Sequence, residues 1–180
     1  MSFTFSHTSI AGLFKVKSFP YEDNRGSFQN LYRNNEEPFS SSLKGLCLAQ
    51  VNLSSTHLTG TIRGLHYQKY PYSEVKVVRC IKGCVWDVVV DLRKNSPTYC
   101  SWYATQLASA DNIALLIPEG CAHGFQVLED SSQLLYLHTQ RWVPDAEHGV
   151  RFDDPSLNIS WPLPPANMSK RDLSLPFFNE

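Results

Sequence analysis

A chain of 180 residues with no break in composition suits one domain large enough to bury a hydrophobic core. Its 16 basic and 17 acidic residues leave a formal charge of -1, which excludes a general electrostatic attraction for nucleic acid or an anionic membrane. No stretch approaches the ~20 apolar residues of a membrane span, and Met1 to His7 lacks a basic segment leading into an apolar run, so a soluble cytoplasmic protein is expected.

In chain order, residues 1–45 read as an N-terminal arm, 46–145 as a barrel and 146–180 as a C-terminal wrap, all within one domain. From residue 60 to 142 the chain is a run of short β-branched and aromatic segments punctuated by Gly, Pro, Asn and Asp. Strands are predicted at 75–81, 85–92, 101–107, 114–117, 124–128 and 132–138. The turn-like Lys82-Gly83, Asn95-Ser96-Pro97 and Glu129-Asp130 lie between them. Within 85–92, Trp86, Val88, Val90 and Leu92 share one face, which is wholly apolar, while Val85, Asp87, Val89 and Asp91 share the other. Many short strands at this spacing predict an all-β sandwich or jelly roll. The proline-rich stretch 153–165 and the weakly helical 167–173 are expected to wrap the barrel without forming a second domain.

Cys47, Cys80, Cys84, Cys100 and Cys121 are odd in number and form no repeated Cys-x-x-Cys pairs, so reduced thiols are expected. Cys80 and Cys84 would be half of a zinc site whose other half is missing, with a turn between them.

Gly60-Thr-Ile-Arg-Gly-Leu-His66-Tyr-Gln68, followed by Glu74 and Gly83 and then by Pro118-Glu-Gly-Cys-Ala-His123, resembles the two signature motifs of the cupins. That resemblance implies a cupin jelly roll, a double-stranded β-helix, with short peripheral helices. Metal-binding cupins carry His-x-His in the first motif, because imidazoles at i and i+2 point from one strand face toward one ion. Here the second position is Gln68, and an amide is a poor ligand beside imidazole, so no metal cofactor is expected.

Four segments narrow the likeness: Arg63 to Gln68, Lys76 to Cys80, Asp91 to Thr98 and Ile117 to Gly124. With Asp23 to Gly26, Gln50 to Asn52, Leu135-Tyr136, Asp154-Pro155 and Ser169 to Asp172, they resemble the dTDP-4-dehydrorhamnose 3,5-epimerase family over nearly the whole chain. The resemblance implies inversion at C3 and C5 of a dTDP-4-keto-6-deoxyhexose through an enolate. It names His66 as base, Asp172 as the carboxylate orienting it, Tyr136 as acid and Lys76 as the cation facing the C4 oxygen. Arg63 and His123 complete the polar wall. Arg25, Gln50, Asn52 and Trp142 take the nucleotide, and a homodimer is implied in which Arg25 reaches the neighbouring protomer's site.

Strict alternation puts Arg63 and His66 on opposite strand faces, so both reach one site only if the chain bulges, which Gly64 would permit. Two positions depart from the family pattern. Gln29-Asn30 stand where a glutamate is usual, and Cys121 stands where an aromatic is usual. Considered alone, His66 and His123 would more often be satisfied structural residues, Tyr136 core packing, Lys76 and Arg63 exposed strand residues, and Asp172 the cap of a local turn. The rival functions are a C3-only monoepimerase, a non-catalytic cupin that binds a sugar nucleotide, and a metallo-cupin that Gln68 disfavours.

Overall fold

The computed structural model describes residues 2–43 and 45–178. Among the described residues there are thirteen strands: β1 (Phe3–His7), β2 (Phe14–Ser18), β3 (Tyr21–Asp23), β4 (Gly26–Phe28), β5 (Gln50–Thr56), β6 (Ile62–Gln68), β7 (Lys76–Lys82), β8 (Cys84–Asp91), β9 (Trp102–Ala108), β10 (Ile113–Ile117), β11 (Cys121–Val127), β12 (Ser132–His138) and β13 (Glu147–Gly149). Two short helices, α1 (Phe39–Leu43) and α2 (Lys170–Leu173), lie outside them, and no helix among the described residues is long and apolar enough to cross a membrane.

Eleven of these strands form two antiparallel sheets, one in the order β1-β2-β10-β7-β12-β5 and the other β13-β6-β11-β8-β9, while β3 and β4 pair as a separate hairpin. The result is the expected all-β jelly roll of cupin type. Alternation along the strands turns Val78, Cys80, Leu115, Ile117 and Leu134 of the first sheet toward Val85, Val89, Cys121, Phe125 and Val127 of the second, and these residues make the inter-sheet core.

Strand β8 departs from the simplest reading of its pattern. Its wholly apolar face, with Val88 and Val90, points outward and is covered by Val150, Leu157, Ile159, Trp161 and Phe178 of the C-terminal segment. Its mixed face, with Asp87 and Asp91, points inward. Gln126 of β11 pins that covering segment by donating to the Leu163 carbonyl and accepting from the Leu163 amide. The N-terminal forty-five residues carry four strands that the pattern did not announce, two of them built into the larger sheet.

Strand β6 bulges. His66 lies opposite His123, yet Arg63 lies opposite Phe125, so three steps on β6 match two on β11. Gly64 sits at the extra residue with φ +113°, where a Cβ would stand 2.6 Å from the Gly124 Cα, so only glycine fits.

Candidate active site

Between the two sheets, at one end of the jelly roll, opens a cavity of about 930 Å³, within the range of small-ligand sites. Lining it are His66, Tyr136, Asp172, Lys76, Arg63, His123, Gln50, Asn52 and Trp142. The bulge delivers Arg63 and His66 to this one space, as the register required. Arg25 is not brought in. It stands at the tip of the β3–β4 hairpin, 85% exposed and paired with Asp23 at 2.6 Å.

His66 comes from β6 in one sheet and Tyr136 from β12 in the other, so the two stand on opposite walls. The Nε2 of His66 lies 2.7 Å from Asp172 Oδ1. Asp172 is placed by α2: the Oγ of Ser169, the N-cap, accepts the Asp172 amide at 3.0 Å and the buried carboxylate turns back toward β6. Burial alone would raise the Asp172 carboxyl, but the His66 hydrogen bond and charge, with Ser169 and Arg171, hold it below the usual value. An ionised Asp172 fixes the proton of neutral His66 on Nε2 and leaves Nδ1 as the basic nitrogen.

Burial pushes the Tyr136 phenol well above its ordinary value, the negative charge of Asp87 adds to this and Arg63 opposes it. The phenol therefore stays protonated at neutral pH. His123 meets Tyr136 edge-on, with centroids 5.8 Å apart, and its Nε2 lies 2.9 Å from Asp87 Oδ2. Burial raises the Asp87 carboxyl despite the pull of His123 and Lys76.

Lys76, buried on β7, has its Nζ 3.1 Å from Glu74 Oε1, while Glu74 Oε2 lies 2.8 Å from His138 Nδ1. Burial would raise the Glu74 carboxyl, but His138 and Lys76 together bring it below the usual range. At the rim, Gln50 donates to Asn52 at 3.0 Å and accepts the Trp142 amide at 2.9 Å. The Trp142 indole donates to Glu147 at 2.5 Å, and Glu147 is also paired with Arg171.

Five of these residues were given no role from sequence. Asp87 and His138 were legible as polar residues two positions from inward-facing ones on apolar strands. Glu74 stood in the cupin motif, whereas Glu147 and Arg171 lie on short peripheral elements without periodicity.

Gln68 spends its amide on the backbone. It donates to the Tyr72 and Arg141 carbonyls, both at 3.1 Å, and accepts the Val143 amide at 2.7 Å. Among the described residues no group of three or more His, Cys, Asp or Glu is arranged to hold an ion. The unusual Cys121 lies in the inter-sheet core, its thiol pushed up to about 12 by burial. The unusual Gln29 bonds to Ser18, Asn112 and Arg79.

Residues 7–180 match the family described as dTDP-4-dehydrorhamnose 3,5-epimerase. A dTDP-4-dehydrorhamnose 3,5-epimerase of Sinorhizobium fredii is 35% identical over 173 residues, covering 96% of this chain and 88% of the relative. A dTDP-4-dehydrorhamnose 3-epimerase of Streptomyces niveus is 38% identical over 164 residues, covering 91% and 78%. Among solved structures, the Bacillus anthracis dTDP-4-dehydrorhamnose 3,5-epimerase with TDP and PPi bound superposes with a TM-score of 0.91 at 32% identity, covering 98% of this chain and 99% of that one. With sequence and fold agreeing from end to end, the chain belongs to the dTDP-4-dehydrorhamnose 3,5-epimerase family of isomerases.

Proposed function

We propose that the protein inverts C3 and C5 of a dTDP-4-keto-6-deoxyhexose, with His66 as base and Tyr136 as acid. A C4 ketone acidifies the protons on both neighbouring carbons, because the carbanion formed is an enolate. His66 Nδ1 takes the proton, Asp172 steadies the imidazolium, and Lys76 faces the C4 oxygen as charge develops there. Tyr136 returns a proton from the other side of the ring, which inverts the carbon. The observation that carries this reading is the separation of the His66–Asp172 pair and Tyr136 onto opposite walls of one cavity, since inversion needs its base and acid on opposite faces. Nothing in the scheme calls for a cofactor.

Arg63 and His123 contact the sugar in this reading, and Gln50, Asn52 and Trp142 on the rim take the nucleotide. The chain acts as a homodimer whose Arg25 completes the partner's site, a role suited to an arginine exposed on a hairpin away from its own cavity. A cytoplasmic setting is supported by five free cysteines. The 3-epimerase relative at 38% identity keeps a second reading open, inversion at C3 alone.

Proton NMR of dTDP-4-keto-6-deoxyglucose with the protein in deuterium oxide tests both. Loss of the C3 and C5 signals, abolished in His66→Ala, is expected. Loss at C3 alone would select the monoepimerase, and loss at neither would reject epimerisation of this sugar.

A further inference from the structure

His138 is the one histidine of the cavity wall to which the mechanism gives no task. It follows Tyr136 by two residues on β12, so both side chains point inward, and its register partner on β7 is Lys76. Its ring lies parallel to that of Tyr136, at 9° with centroids 5.7 Å apart. Its Nδ1 reaches Glu74 Oε2 at 2.8 Å, and the other oxygen of Glu74 holds Lys76. His138 Nε2 is buried with no partner among the described residues, an unfavourable state for a polar atom. The side chain thus stands with one nitrogen unsatisfied, and its contacts are with Tyr136, the proposed acid, and with Glu74, which holds Lys76, the proposed enolate stabiliser.

We propose that His138, locked by Glu74, is a positioning residue that sets the Tyr136 ring and the Lys76 ammonium relative to each other. The Nδ1–H on one oxygen of Glu74 fixes the carboxylate plane so that its other oxygen meets Lys76. It also draws charge away from that oxygen, so Glu74 anchors the ammonium without cancelling its field at the enolate. The imidazole face meanwhile fixes the rotation of the phenol. The groups facing His138 are Glu74, Lys76, Tyr136 and Gln50, with His123 and Asp87 behind Tyr136.

The inference rests on the epimerase reading, and two variants divide the two contacts. His138→Phe keeps a ring beside Tyr136 and removes the donor to Glu74. His138→Asn keeps a donor of similar reach and removes the ring. Deuterium exchange at C3 and C5 requires the base and the enolate stabiliser, whereas inversion also requires the acid.

His138→Phe should therefore slow exchange by about tenfold with KM within about twofold. His138→Asn should keep exchange near that of the unsubstituted protein and raise the ratio of exchange to inversion by about tenfold. Equal losses of exchange and inversion in both variants, or near-normal rates in both, would overturn the proposal.

Histidine 15N NMR gives an answer that needs no substrate. His138 should carry its proton on Nδ1, and Glu74→Ala should abolish that preference. A tautomer indifferent to Glu74 would overturn the locking whether or not the unsubstituted protein turns over this sugar.

Discussion

In the proposed mechanism the carboxylate of Asp172, 2.7 Å from His66, orients the base and makes that base depend on its own ionisation. Asp172→Asn preserves size and the Ser169 cap but removes the charge that keeps the His66 proton on Nε2. We expect kcat to fall by roughly 10² to 10⁴, far more than the modest loss of stability would account for, measured by NMR turnover beside a melting curve that shows the chain still folded at the assay temperature. The pH dependence follows from the lowered Asp172 value. Its folded value lies below the unfolded one near 3.9, so the pairing stabilises the protein above that pH and is lost as pH falls through the lowered value. Titrating stability below about pH 4 should show a smaller acid loss in Asp172→Asn than in the unsubstituted protein. That His66, Tyr136, Lys76 and Asp172 line one cavity was legible because the family motifs that carry them are written along the chain. The partners Asp87, Glu74 and His138 were not assigned, because a side chain that serves another across a sheet is defined by register, and register between strands is not local in sequence.

At the level of the strand, a single glycine decides whether the site exists. Gly64→Ala would need a Cβ where the Gly124 backbone already lies, at a φ of +113° that L residues rarely adopt. We expect a loss of more than about 2 kcal/mol in denaturant unfolding, with activity falling because Arg63 and His66 no longer share the cavity. The end of β8 offers a test away from the cavity. Burial would raise the Asp91 carboxyl, but Arg93, Ser96 and Thr98 hold it at about 2. This depressed value stabilises the fold above the unfolded value near 3.9, and the contribution disappears as pH falls toward 2. Asp91→Asn should therefore cost roughly 2 kcal/mol at pH 7, and its stability should change less between pH 4 and 2. The barrel strands were readable because β-branched residues alternate between turn residues. Strand β11 begins at Cys121, three residues before the predicted start, because it is buried along its whole length and gives no apolar–polar alternation to mark where it starts. In β2, Phe14, Val16 and Ser18 alternate with Lys15 and Lys17, a usable but short signal.

At the scale of the molecule, the larger sheet leaves part of its outer face uncovered. Helix α1 packs Phe39 and Leu43 over the Phe3, Val77 and Leu116 region, while Val51 and Leu53, paired with Leu137 and Leu135, are each 57% exposed. If this face joins the proposed homodimer, Leu53→Glu should shift sedimentation from dimer to monomer while each chain stays folded. The family resemblance made the jelly roll and the cavity readable from sequence. The outward packing of β8 was not, because a strand buried on both sides gives no cue as to which face is the interior. Gln68 has a further consequence. Its three hydrogen bonds tie β6 to Tyr72 and to the stretch 141–143, which carries Trp142. An imidazole offers two ring nitrogens, so Gln68→His would free that stretch before any ion could be held. The residue that would have to change to offer a second imidazole is thus also the latch of the cavity rim.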